Sequence, residues 1–304
     1  MRVVALAGGV GGAKLLVGLQ RHLGSELTAV VNTADDACMY GLHISPDVDI
    51  VTYWLAGVAD RTRGWGIAND SFEVLGALSN LGHDTWFTLG DKDLATCLFR
   101  TEALRSGATL SEATREIGAR FGVAATIIPM TDDPVATRLI TADGRTLEFQ
   151  EYFVKERCEP EVTEVRVAGI RDATPAPAVL RAIEDADRVI LCPSNPLLSI
   201  GPILGVRGIR AALRVHPHVT AVSPIVRGRA IKGPAARLLA ATGRESSAGA
   251  VALMYEDFID RFVIDACDPD QASKLEGADM QVVTADTLMV DEDASARLAR
   301  ELLT

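Results

Sequence analysis

A short apolar run that ends in clustered glycines leaves the surrounding chain few choices of fold. Arg2 to Ala7 reads as a buried strand, and Gly8-Gly9-Val10-Gly11-Gly12-Ala13-Lys14 follows at once. From Gly12 to Leu23, the leucines at 15, 16, 19 and 23 keep helical spacing. Leu27 to Val31 supplies a second apolar strand, and a strand–helix–strand unit of this kind lays its two strands parallel. Glycine at the end of the first strand lets backbone approach a ligand, and the amides that open the helix attract phosphate oxygens. The turn is not a Walker A loop, because Lys14 lies two residues after Gly12 and is followed by Leu15 instead of a hydroxyl residue. It also departs from the dinucleotide fingerprint. Lys14 stands where the third glycine belongs, and the second strand ends in Asn32 instead of an acid.

The alternation resumes after about residue 175. Helices are expected near 178–186, 208–215, 235–241, 249–259 and 294–303, and strands near 188–192, 219–223, 261–266 and 281–284. The fold class is therefore α/β, a Rossmann-like doubly wound parallel sheet. The middle of the chain breaks the pattern. Asp143-Gly144, between the runs 135–141 and 146–153, is a strong hairpin signal. Residues 1–304 are thus expected to form a single α/β domain, with an inserted helix and hairpin subdomain at about 91–165. Trp86 to Asp93 reads as a short strand ending in charge. Asp70-Ser71-Phe72-Glu73 has the spacing of a capping box that opens a helix ending near Gly82, and a further helix is expected from Ser111 to Gly122.

With 304 residues, 48% of them hydrophobic, the chain can bury a large core without staples. A net charge of −11 argues against nucleic-acid and anionic-membrane partners, which call for a basic face. The five cysteines show no CxxC spacing, so no disulfide framework or zinc knuckle is expected. The apolar N-terminal run is too short for a signal segment or a membrane span, and a cytoplasmic location is the expectation.

Thr33 to Asp49 reads as a polar loop around Ser45-Pro46, carrying Asp35, Asp36, Asp47 and Asp49. Such acids are commonly solvated turn residues. This loop, however, follows the second strand and so shares the sheet end with the glycine turn, where carboxylate oxygens beside phosphates suit Mg²⁺. Leu89-Gly90-Asp91-Lys92-Asp93 reads as a helix start with acids favoured near the positive end of the dipole. Pro193-Ser194-Asn195-Pro196 to Pro202 follows another parallel strand and is a second candidate ligand loop. Ser194 has no GxSxG context and is not read as a nucleophile. His216-Pro217-His218 is read as a surface turn.

Taken in order, these segments, with Gly64-Trp65-Gly66-Ile67 and Asp286-Thr287-Leu288-Met289, resemble the 2-phospho-L-lactate transferase family of coenzyme F-420 biosynthesis, including its phosphoenolpyruvate-using bacterial members. The resemblance covers essentially the whole chain. It implies transfer of a phospho-three-carbon-acid group from a guanosine diphosphate-linked donor to the terminal hydroxyl of the deazaflavin Fo, with release of GMP, by a homodimer. It implies Mg²⁺ as cofactor, with Asp36 and Asp49 as metal candidates. Asp36, Asp47 and Asp49 would bind the metal or orient the Fo hydroxyl, and Asp91 and Lys92 would lie on the substrate side, Lys92 at Fo. Gly9, Gly11, Gly12 and Lys14 would face the donor's phosphates and acid, and Ser194, Asn195, Ser199 and Gly201 its guanosine. Two alternatives share the glycine turn: a nucleotide-sugar or dinucleotide-binding regulatory protein of the same superfamily, and an NAD(P)-dependent oxidoreductase.

Overall fold

The computed structural model describes residues 1–231, 233–275 and 277–304. In its first half, β1 (Val3–Ala7) leads into α1 (Gly9–Leu23) and β2 (Leu27–Val31). A two-stranded ribbon follows, β3 (Ala37–Met39) and β4 (Leu42–Ile44), and then four helices: α2 (Pro46–Leu55), α3 (Glu73–Asn80), α4 (Asp91–Arg105) and α5 (Leu110–Arg120). Next come β5 (Thr126–Pro129), β6 (Ala136–Thr141), β7 (Thr146–Glu148) and β8 (Val162–Ala168). The second half holds α6 (Val179–Asp185), β9 (Arg188–Leu191), α7 (Gly201–Gly205), α8 (Ile209–Val215), β10 (Val219–Val222), β11 (Ile225–Val226) and β12 (Arg229–Ala230). It closes with α9 (Ala235–Ala241), α10 (Ala248–Leu253), β13 (Arg261–Asp265), α11 (Asp270–Ser273), β14 (Gln281–Ala285) and α12 (Glu292–Leu303).

Seven strands form one parallel sheet in the order β14-β13-β10-β9-β1-β2-β5. The order reverses between β1 and β9, so the loops after these two strands diverge and leave a crevice at the carboxyl end of the sheet. Both faces are covered, as a parallel sheet requires. Val4, Leu6, Val30, Val189 and Leu191 meet α6, α8 and α10 on one face. Val3, Ala5, Ala7, Ala29 and Val31 meet α1, α2 and α12 on the other. α1 and α12 pack so closely that a Cβ on Gly18 would collide with the Ser295 carbonyl. Among the described residues, no single helix is long and apolar enough to cross a bilayer.

The central alternation is as the sequence predicts; the stretch between residues 33 and 165 differs. Pro46 does not interrupt a loop but starts α2, where its fixed φ and missing N–H suit the first helical position and Asp47 and Asp49 favour the first turn. Trp86–Leu89 is not a strand. Phe87 and Leu89 instead fill a small separate cluster beneath β4 and α4 with Ile44, Leu94 and Cys97. Within residues 91–165, β5 returns to the main sheet beside β2, while β6, β7 and β8 form a separate antiparallel sheet in the order β7-β6-β8. The Asp143-Gly144 turn joins β6 and β7 as expected, with Gly144 at φ 84°. β7 stops at Glu148, short of the predicted Phe153.

The capping box expected at Asp70 and Glu73 is absent, because two helices exchange their caps. Asp70 accepts from the amides of Lys92 (2.9 Å) and Asp93 (3.2 Å) at the start of α4. Asp91 accepts from the amides of Glu73 and Val74 (both 3.1 Å) at the start of α3. Each carboxylate satisfies amides that its neighbour's helix leaves unpaired, which ties α3 to α4.

Candidate active site

At the carboxyl end of β1, Gly9 adopts φ 61° and donates its amide to Asp47 Oδ1 at 2.8 Å. The loop after β9 presses on the same turn. Ser194 Oγ accepts from the Gly8 amide (3.0 Å) and donates to the Gly8 carbonyl (2.8 Å). A Cβ on Gly11 would sit 2.6 Å from the Pro193 carbonyl oxygen, and one on Gly12 would sit 2.6 Å from Ser194 Oγ. The glycines are therefore required by the junction of two loops at the switch point, whatever ligand binds beside it.

The aspartate loop closes on this junction. Asn32, at the end of β2, donates to Asp47 Oδ2 (2.9 Å) and Asp35 Oδ2 (3.2 Å), and its own Oδ1 accepts from the Ala34 amide (3.0 Å). Asp36 Oδ2 accepts from Ser45 Oγ (2.7 Å) and pairs with His43 Nε2 (3.0 Å). Thr33 to Asp36 is a tight turn, with the Asp36 amide donating to the Thr33 carbonyl (3.2 Å). Three buried oxygens on this turn have no hydrogen-bond partner: Thr33 Oγ1, Asp35 Oδ1 and Asp36 Oδ1. Thr33 and Asp36 line a cleft of about 500 Å³ with His43, Asp132 and Arg138. Burial raises Asp35 well above the usual carboxylate range, and the charge of Asp47 adds to this. Burial also pushes Asp47 up to about 6, against the hydrogen bonds from Asn32 and Gly9.

Asp49 points elsewhere. Its Oδ2 accepts from Arg100 Nη1 at 3.0 Å, and its Oδ1 accepts from Nη2 of the same guanidinium, which is 0% exposed. Burial works against the charge on Arg100, but Asp49 more than offsets this and holds the guanidinium above its ordinary value. Ligand atoms of Asp49, Asp93 and Cys97 come within 4.8 Å of one another, a grouping that could suit a metal ion. Here the guanidinium supplies the positive charge, and burial pushes the Cys97 thiol up, away from the thiolate that metals prefer.

Asp93 accepts from the Tyr53 hydroxyl (2.8 Å). Burial, and then the charge of Asp49, push it up to about 7. A carboxylate raised in the folded state contributes stability that is full below its unfolded value and is lost as pH rises through the folded one. The contribution of Asp93 to wild-type stability should therefore fall between about pH 4 and about pH 7. Asp93→Asn, which keeps an acceptor for Tyr53, should gain on wild type by a few kcal/mol over that interval. Urea unfolding at pH 4, 6 and 8 checks this; parallel curves for the two proteins would contradict it.

The remaining expected residues are mostly held by the protein itself. Lys14 Nζ donates to the Met289 carbonyl (2.8 Å), and Lys92 Nζ to the Asn69 carbonyl (2.8 Å). Asp91 is the cap of α3, and Asn195 Oδ1 caps the turn at Pro196 through the amides of Leu197 (3.0 Å) and Leu198 (3.1 Å). Ser199 lies against Gly8, and Gly201 against the Pro196 carbonyl. Gly9, Gly11, Gly12, Asp47, Ser194 and Ser199 thus meet around the switch point, with Asp36 in the adjoining turn, whereas Asp49 is buried against α4, Asp91 caps α3, and Lys92 is exposed at the start of α4. The sequence assigns no site role to Asn32, Ser45, Asp93 or Arg100, and shows His43 only as a lone histidine inside the acidic loop. Of these, Asp93 and Arg100 leave a trace: with Cys97 they stand at i, i+4 and i+7, one face of a helix.

A family model described as 2-phospho-L-lactate transferase CofD matches residues 3–303. The chain is 41% identical over 298 residues to a 2-phospho-L-lactate transferase of Methanosarcina mazei, covering 98% of each chain. It is 40% identical over 311 residues to a phosphoenolpyruvate transferase of Kitasatospora aureofaciens, covering 100% of this chain and 97% of the relative. Among solved structures, protein BH3568 from Bacillus halodurans superposes with a TM-score of 0.66 at 17% identity, over 100% of this chain and 99% of the other. That likeness concerns the fold alone. The match from Val3 to Leu303, together with relatives alike along their full length, establishes that the chain belongs to the 2-phospho-L-lactate transferase CofD family of transferases.

Proposed function

We propose that this transferase moves a phospho-three-carbon-acid group from a guanosine diphosphate-linked donor to the terminal hydroxyl of the deazaflavin Fo, forming a phosphodiester and releasing GMP. The observation that carries this reading is the meeting of the glycine turn with the aspartate loop through Gly9 and Asp47, the same loop whose Thr33 and Asp36 line a cleft. In the transfer, the Fo hydroxyl oxygen bonds to phosphorus, the phosphorus–oxygen bond to GMP breaks, and the hydroxyl proton passes to a carboxylate. Asp47, lifted to about 6, is matched to accept that proton near neutral pH. The first-turn amides of α1 beyond Gly9, whose own N–H is taken by Asp47, are donors for the phosphoryl oxygens. Because Ser194 and Asn195 have their oxygens engaged, the loop after β9 would meet the guanosine mainly with backbone.

The oxygens of this turn are of the chemical kind that a hard divalent cation takes. Thr33 Oγ1, Asp35 Oδ1 and Asp36 Oδ1 are oxygen donors, buried and without partners. Asp35 and Asp36 would hold Mg²⁺, and Asp49, whose oxygens both face Arg100, would not. Bound there, Mg²⁺ would offset charge on the donor's diphosphate.

Incubation with Fo, Mg²⁺ and a guanylated donor carrying phospholactate, phosphoenolpyruvate or phosphoglycerate tests the reading. GMP and a phosphodiester of the matching mass are expected, and no turnover with any of the three donors would sink it. Asp36→Asn should lower turnover by at least about 100-fold while leaving the melting temperature within a few degrees of wild type. Asp49→Ala is the less informative variant, since it strands a buried arginine.

A further inference from the structure

His43 is the middle residue of β4, paired across the ribbon with Cys38. A ribbon of two three-residue strands is not stable alone, so something else must hold it. Two adjacent side chains of α4 do so. Thr101 Oγ1 accepts from the His43 amide at 2.8 Å and donates to the Cys97 carbonyl at 2.7 Å. Arg100 Nη1 donates to the His43 carbonyl at 3.4 Å while also holding Asp49. Both polar groups of one peptide residue are thus gripped by one helix, through side chains that are themselves buried. The His43 ring, about one third exposed, reaches from this anchored backbone to Asp36 Oδ2. Ser45 donates to the same oxygen, and both contacts fall on Oδ2, so Oδ1 is the atom left without a partner on a residue that lines the cleft.

We propose that Thr101 and Arg100 form a backbone clamp that positions His43, and through it holds Asp36 by Oδ2 so that Oδ1 is left as its free oxygen. They are positioning residues and touch no substrate. The inference rests on the transferase reading for its kinetic consequence but not for its geometric one. Thr101 is the cleaner of the two to alter, because valine matches its shape and only the hydroxyl is lost.

In Thr101→Val, kcat for GMP release is expected to fall about tenfold, with KM for Fo and donor within about twofold of wild type. Thr101→Ser, which restores the hydroxyl, should recover most of the loss. His43→Leu should lower kcat to a similar extent, and the double variant should be no worse than either single one, as expected of residues acting as a unit. A second readout needs no turnover. In protein labelled at its five histidines, the ring signal assigned by its disappearance in His43→Leu should move in Thr101→Val and return in Thr101→Ser. Wild-type kcat in a folded Thr101→Val protein, or an unmoved His43 signal, overturns the clamp. If Thr101→Val does not fold, wild-type kcat in His43→Leu overturns it. Should wild type itself release no GMP while the His43 signal moves, the transferase reading fails and the clamp stands.

Discussion

Arg100→Met is expected to destabilise the protein by roughly 3–5 kcal/mol. Its guanidinium is wholly buried and bidentate on Asp49, so the variant strands one carboxylate beside the partly neutral Asp93 in a space closed to water. The penalty comes mainly from the unpaired charge left behind. Removing both charges, as Arg100→Met with Asp49→Leu, should therefore cost less than Arg100→Met alone. Urea unfolding at pH 7 on the single and double variants decides the matter; equal losses would mean that packing, and not stranded charge, dominates.

Gly11→Ala is expected to lower kcat/KM by about 100-fold, as sub-ångström to ångström misplacement of reacting groups does. The added Cβ would lie 2.6 Å from the Pro193 carbonyl oxygen, a backbone atom that cannot swing aside. The glycine turn and the loop after β9 must separate, and this shifts Gly9 and with it the contact to Asp47. Gly76→Ala in α3 is the control. It meets nothing within 4 Å, and should be active and more stable by about 0.5–1 kcal/mol. Steady-state kinetics with melting curves on both variants separate a local clash from general loss of helix backbone freedom. Full activity in Gly11→Ala would show that the two loops tolerate separation.

Much of the scaffold was legible in the sequence because its signals are local. Periodicity marked α1 and the last helix, apolar runs marked the inner strands, and Asp143-Gly144 marked a turn that needs positive φ. The region between residues 33 and 165 was harder. Pro46 has two readings, breaker of the residue before it or first residue of a helix, and only the packing of Val48, Val51 and Tyr53 against the sheet chooses the second. The four residues of β5 carry no periodicity by which to tell an edge strand from a loop.

The chain by itself determined that glycines would crowd the end of the first strand and that acids would follow the second. Tertiary structure decided what each group meets. Asp47 and Asp49 look equivalent as neighbours in an acidic stretch, but once α2 forms they stand about 200° apart around its axis. One therefore reaches the glycine turn and the other a buried arginine on α4. Asp70 and Asp91 likewise exchanged helices, since a cap serves whichever amides lie within reach, and nearness in space is not nearness along the chain.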